Sequence, residues 1–310
     1  MKALVLKSTG NLYRLCTEKG DVIMAHLAGK IRLELRKTTS PLVVGDNVEV
    51  EQSNDGALIT KIYPRKNYII RKSLNLSKQT HILAANIDQA FLLVTLVFPR
   101  TSTGFIDRFL VTTEAYRIPA KIIFNKVDLL DVELKKAQQE LIDMYTSIGY
   151  DCIEISALKE EDVTKIRSSL KDKLTLLAGH SGAGKSTLIN NIQPDLHLKT
   201  ANLSAIHLKG KHTTTFSELH KLDDGGYIID TPGIKELGLV EMKKEEVGHY
   251  FPEFRKLMNQ CRFDNCTHTN EPNCAVIKAL EEGTIYAERY HNYLSILNSN
   301  ETIWTAWGNK

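Results

Sequence analysis

Between residues 174 and 192 the chain runs LTLLA, then GHSGAGKST, then LINNI. An apolar strand, a loop of the form G-x-x-x-x-G-K-S and the start of an amphipathic helix, in that order, constrain the fold more than anything else in the sequence. Such a loop works at the carboxyl end of a strand in a parallel α/β sheet. Gly179, Gly182 and Gly184 let the backbone amides of the loop, His180, Ser181 and Ala183 among them, curl around phosphates. The helix amino terminus adds partial positive charge, Lys185 reaches the β- and γ-phosphates, the Ser186 hydroxyl suits Mg²⁺, and Thr187 follows in the first turn.

A second strand-and-loop unit selects the base. AKIIFNKVD ends in Asn125, Lys126 and Asp128: an amide for the guanine ring edge, a long stem for the ring face, and an acceptor pair for guanine N1 and N2. Adenine lacks that donor pair. One strand later, DCIEISAL offers Ser156 and Ala157 to complete the base pocket, with the Ala157 amide expected to face guanine O6.

The order of these units is unusual. Base-recognition loops at 125–128 and 156–158 precede the phosphate loop at 179–187. After it come the threonine run of KGKHTTTFSEL and the DTPG that ends GGYIID. Asp230 is the expected Mg²⁺ carboxylate and the Gly233 amide the expected γ-phosphate sensor. Among Thr213, Thr214 and Thr215 the favoured Mg²⁺ ligand is Thr214, although a threonine run also suits a plain strand. Every part of a GTP-binding domain is present in rotated order, so the domain is expected to be circularly permuted. That is feasible because each loop hangs from its own strand. Ile234 stands directly after DTPG and cannot orient water, so the water-orienting group must be polar and come from elsewhere; His212 is the candidate.

Residues 1 to about 70 form short alternating runs such as GDVIMAHL, KIRLELR, DNVEVEQ and GALITKIY, separated by turn formers. About five strands in so small a region suit an OB-fold barrel; an SH3-like barrel would give nearly the same pattern. The first 80 residues carry 14 Lys and Arg against 7 Asp and Glu, whereas the remainder carries 26 against 30. The excess of positive charge is thus local to the barrel and fits contact with a polyanion. Near the other end, Cys261, Cys266, His268 and Cys274 fall within fourteen residues, a closed tetrahedral set for structural Zn²⁺. The expected architecture is therefore multidomain: an all-β OB-fold RNA-binding domain at 1–70, a permuted α/β P-loop GTPase at 71–240 and a small helical zinc-binding domain at 241–310. No run approaches the roughly 18 apolar residues of a membrane span, and the start lacks a signal-peptide core. A cytoplasmic protein without membrane contact, acting as a monomer, is expected.

Taken together, NKVD, GHSGAGKST, GKHTTT, DTPG and CRFDNCTHTNEPNC resemble the bacterial ribosome-small-subunit-dependent GTPase A family over nearly the whole chain. The resemblance implies GTP hydrolysis to GDP stimulated by the 30S subunit, late action in 30S maturation, contact with 16S rRNA near the decoding region, one zinc per chain and Mg²⁺ with GTP. A competing reading of the same motifs is a GTP-gated binding protein for a non-ribosomal RNA. A P-loop small-molecule kinase leaves NKVD, ISAL and the basic barrel unexplained.

Overall fold

The computed structural model describes residues 1–29, 31, 42–53, 56–71, 81–196, 218–230 and 242–298. Five strands, β1 (Lys2–Thr9), β2 (Leu12–Thr17), β3 (Val22–Leu27), β4 (Asn47–Ser53) and β5 (Gly56–Ile62), lie in the order β1-β2-β3-β5-β4, and β4 closes back onto β1. Closure leaves the small sheet without a free edge, and its interior is filled by Val5, Tyr13, Leu15, Ala25, Val48, Val50 and Ile59. This is the expected OB-like barrel, with a different strand inventory. Two of its strands come from residues 2–17, while the strand expected over KIRLELR, residues 30–36, lies outside the described residues apart from Ile31.

A hairpin of β6 (Tyr68–Arg71) and β7 (His81–Ala85) leads out of the barrel; the boundary expected at residue 70 falls inside β6. There follows a six-stranded sheet of β8 (Gln89–Val94), β9 (Ala120–Asn125), β10 (Asp151–Ile155), β11 (Leu174–Gly179), β12 (Glu218–Lys221) and β13 (Tyr227–Asp230). The spatial order is β10-β9-β8-β11-β13-β12, parallel throughout except for β12 at the edge.

Successive side chains of a strand point to opposite faces, and β8 shows the consequence. Ala90, Leu92 and Val94 pack beneath α1 (Thr103–Ala115) and α2 (Val132–Ile148), whereas Phe91 and Leu93 pack beneath α3 (Glu160–Leu170) and α4 (Lys185–Ile192). A near-continuous apolar run is what a strand covered on both faces needs. The helix ends are set locally. Asp131 caps α2 by accepting from the Leu134 amide at 2.8 Å, and Gly149 stops the helix at φ 118°.

Barrel and sheet are joined at one edge. Lys7 of β1 pairs with Glu218 of β12, whose carboxylate also holds the Lys7 ammonium at 2.6 Å and the Arg14 guanidinium at 3.1 Å. Leu6, Cys16 and Val44, from the barrel region, pack in the same cluster as Leu219 and Ile229. The last region begins with two short helical turns, Lys244–Val247 and Pro252–Arg255, and continues through the cysteine segment into α5 (Ala275–Glu281) and α6 (Ala287–Asn298). Phe251, Phe254, Val276, Tyr293 and Ile296 form its core, to which α1 contributes Val111. Among the described residues, no helix is long and apolar enough to cross a membrane.

Candidate functional site

The loops singled out in the sequence converge because β9, β8, β11 and β13 are neighbours and parallel, so their carboxyl ends share one edge of the sheet. The phosphate loop leaves β11 at Gly179, where φ is 143° and an added Cβ would lie 2.6 Å from the Leu93 carbonyl oxygen of β8. It enters α4 through Gly184, at φ 98°, where an added Cβ would lie 2.3 Å from Asn125 Nδ2. Only glycine fits either place. Ser181 and Gly182 are exposed at the tip, Ala183 is buried beneath it, and Ser186 and Thr187 are half-buried in the first turn of α4. Lys185 Nζ donates to the carbonyls of Gly179, at 2.6 Å, and His180, at 2.8 Å, which holds its charge over the loop. The His180 ring stacks on Phe105 of α1, with centroids 4.0 Å apart.

Asn125 links the loops that the sequence singles out. Its side chain is 2% exposed. Nδ2 donates to the Ala183 carbonyl at 2.8 Å, and Oδ1 accepts from the Ala157 amide at 2.9 Å. The Ala157 amide, expected to face guanine O6, is thus bonded to Asn125, and Asn125 ties both base loops to the phosphate loop. One Nδ2 hydrogen remains for a ring edge.

Lys126 adopts a left-handed backbone, φ 66°, and its Nζ donates to the Phe98 carbonyl in the loop after β8, so its stem crosses from β9 towards the phosphate loop. Burial lowers its pKa, and Asp128 opposes the shift. Asp128 sits exposed in the single turn Val127–Leu129, where its carboxylate is open to a donor pair.

Ser156 is 1% exposed, and its Oγ has no hydrogen-bond partner among the described residues. A buried polar atom without a partner is rare in folded proteins and fits a pocket that takes a polar ligand. The Ser156 amide donates to Asp162 Oδ2 at 2.9 Å. Burial would raise the Asp162 pKa, but this bond and Lys165 outweigh it and hold the carboxyl below its ordinary value.

The backbone of Asp230 ends β13, parallel to β11 with Asp230 opposite Leu177, which puts it beside the phosphate loop. Its side chain, together with His212, Thr213, Thr214, Thr215, Gly233 and Ile234, lies outside the described residues.

Three interactions were not read from the sequence. Asn191 of α4 donates to the Ala157 carbonyl at 2.6 Å, Asp162 holds the Ser156 loop, and Phe105 backs His180. Asn191 carried a weak signal, a polar side chain inside LINNI that has no reason to face the sheet. The other two depend on pairings across the fold.

Cys261, Cys266, His268 and Cys274 place their ligand atoms within 4.8 Å of one another. His268 Nδ1 is 3.3 Å from Cys274 Sγ and 3.7 Å from Cys261 Sγ, near the edges of roughly 3.6–3.8 Å that bonds of about 2.0–2.3 Å impose on a tetrahedron. The four can hold a metal ion, with Nδ1 facing inward and Nε2 buried against Gly248. Burial pushes the Cys266 thiol up to about 12 and raises Cys274, so a bound cation is what would turn them into thiolates. The surrounding loop is firmly fixed. Tyr293 and Tyr290 donate to the Thr267 and His268 carbonyls, and Glu271 accepts from the Thr267 hydroxyl and from the Thr267 and Thr269 amides.

Residues 62–240 match the model of a family described as RsgA GTPase. The small ribosomal subunit biogenesis GTPase RsgA of Bacteroides fragilis is 53% identical to the chain over 97% of each sequence. Its counterpart in Flavobacterium johnsoniae is 49% identical over 97% of this chain and 94% of the relative. Two crystal structures are similar over nearly the whole length: YjeQ from Thermotoga maritima, with a TM-score of 0.78 at 33% identity over 96% of each chain, and YloQ, described as a circularly permuted GTPase, with a TM-score of 0.77 at 29% identity over 100% of this chain and 96% of that one.

Proposed function

The chain belongs to the RsgA GTPase family, and on that premise we propose that it hydrolyses GTP in the biogenesis of the small ribosomal subunit, late in maturation and under stimulation by the subunit itself. Family membership makes it a GTPase. The observation that carries the mechanism is the convergence of the NKVD, SAL and phosphate loops on Asn125, with Lys185 over the loop.

Guanine is held by Asp128 through N1 and N2, by the stem of Lys126 along the ring, and by the remaining Nδ2 hydrogen of Asn125, with Ser156 and Ala157 closing the pocket. The amides of residues 179–187 and the Lys185 ammonium neutralise the phosphates. Ser186, Asp230 and Thr214 are the residues that would hold Mg²⁺, which would supply neutralising charge to the phosphates; Gly233 is assigned the sensing of the γ-phosphate. Ile234 leaves water unoriented, and His212 is assigned that task in the complex with the subunit.

The metal set is assigned to one structural Zn²⁺, since four protein ligands leave no open position for catalysis. The barrel, with Lys2 and Lys61 exposed beside the Tyr63 ring, and the zinc module are assigned to 16S rRNA. The domain limits proposed are 1–70, 71–240 and 241–310, and the site of action is the cytoplasm, where small subunits are assembled. Comparing GTP turnover and RNA binding with 30S subunits and with non-ribosomal RNA tests this reading. Equal responses to the two would favour a GTP-gated binder of other RNA.

A further inference from the structure

The metal module and the nucleotide site share one structural part, the first two turns of α1. Residues 103, 107 and 111 are spaced four apart and form one stripe of that helix. The whole stripe faces the module. Thr103 Oγ1 donates to Glu288, and Gly104 leaves room for Asn292, whose Oδ1 would be 3.4 Å from an added Cβ. Asp107 is fully buried. It accepts from Arg289 at 2.5 Å, Asn292 at 2.7 Å and Tyr145 at 2.8 Å, and Val111 lies in the module's core. Arg289, 1% exposed, also forks onto Glu253 at 2.7 and 3.1 Å, with its guanidinium 4.6 Å from the Phe251 ring centroid. A planar fork shared between two carboxylates admits little change of position.

Two residues from Thr103 and from Asp107, Phe105 projects about 200° around the helix from either. There it stacks on His180 of the phosphate loop. The segment leading into α1 touches the nucleotide site twice more. The Phe98 carbonyl receives Lys126 Nζ, and Pro99 lies 3.3 Å from where a Cβ on Gly182 would be. These turns, gripped from one side by α6, thus contact both the base loop and the phosphate loop.

We infer that the first two turns of α1 couple the metal module to the nucleotide site, with Asp107 and Phe105 acting as positioning residues: Asp107 takes its place from Arg289, and Phe105 transmits it to His180. The inference deepens the GTPase reading and rests on it, but it needs the ribosome only as the natural agent that grips the module.

Shared neighbours do not by themselves establish coupling, so the test is a double-mutant cycle that omits the ribosome. Arg289→Lys keeps the charge and removes the fork; Asn292→Ala is a milder break of the same joint that leaves the ion pair. Each is made alone and together with Phe105→Leu, and Phe105→Tyr serves as the conservative control that keeps the ring. Metal content and far-ultraviolet circular dichroism confirm the fold. The readouts are GDP affinity, by fluorescence of a labelled nucleotide, and amide hydrogen exchange of residues 179–187.

Breaking the joint is expected to weaken GDP binding about fivefold or more, the lower end of usual coupling, and to speed exchange in the phosphate loop. Most of that effect should disappear when residue 105 is already Leu and persist when it is Tyr. Native affinity and exchange in both joint variants would overturn the inference, as would an equal weakening whether residue 105 is Phe or Leu. Failure of the native protein to bind guanine nucleotide at all would instead sink the GTPase reading, and a lack of 30S stimulation only its ribosomal part.

Discussion

Two side chains carry most of what the nucleotide site asks of single residues. Asp128 is exposed and acceptor-only, so Asp128→Asn should move preference from guanine towards xanthine nucleotides, a change read by competing GTP against XTP for the same site. Equal weakening towards both would mean that Asp128 does not read the base. Asn125 is the opposite case, buried and bonded on both sides of its amide. Asn125→Ala would leave the Ala183 carbonyl and the Ala157 amide without partners, at a cost of about 1–3 kcal/mol for each buried group. It should therefore lower the thermal midpoint of the protein without nucleotide as well as its GDP affinity. A variant with weaker affinity at an unchanged midpoint would make Asn125 a base ligand only.

At the scale of elements, what was legible in the sequence is what chemistry demands locally. The strand, glycine loop and helix of residues 174–192 follow from phosphate binding, and the four metal ligands from tetrahedral coordination. The apolar run of β8 is what burial on both faces requires. The parts that were not legible depend on distant partners. β1 turns Val5 into the barrel and Leu6 into the cluster beneath the sheet, which erases the alternation a half-exposed strand would show. Its junction with β12 joins residues 211 positions apart. Asp107 and Arg289 look like ordinary surface charges until the helices carrying them meet. That junction also governs how the elements should be tested. Removing the barrel would uncover the β12 edge and part of the sheet's core, so substitution is the cleaner probe. Lys2→Ala with Lys61→Ala should weaken 30S binding and flatten its dependence on salt, by a slope of about 0.9 for each duplex phosphate that is no longer neutralised, while GDP affinity stays native. An unchanged salt slope would remove these lysines from the rRNA interface. Cys266→Ser should reduce metal content below the expected one zinc per chain and lower the thermal midpoint of the carboxyl-terminal region. Full metal retention would show that Cys266 is not a ligand.

Over the whole molecule, a basic barrel, a GTPase with rotated loops and a metal module are packed so that the barrel meets the sheet edge at Glu218 and the module meets α1 at Asp107. A partner that touches barrel and module together would therefore grip the nucleotide domain from two sides; in the proposed reading that partner is the small subunit. His212→Ala should keep GTP and 30S binding and lower the stimulated rate about a hundredfold, the lower end of what a positioned proton-transfer group contributes. The most direct test is GTP turnover by the native protein alone, with purified 30S subunits, and with naked RNA of equal phosphate content. Slow turnover alone, a rise of about tenfold or more with subunits, and no comparable rise with naked RNA are expected. Turnover that is fast without the subunit, or raised equally by any RNA, would contradict a GTPase governed by the small ribosomal subunit.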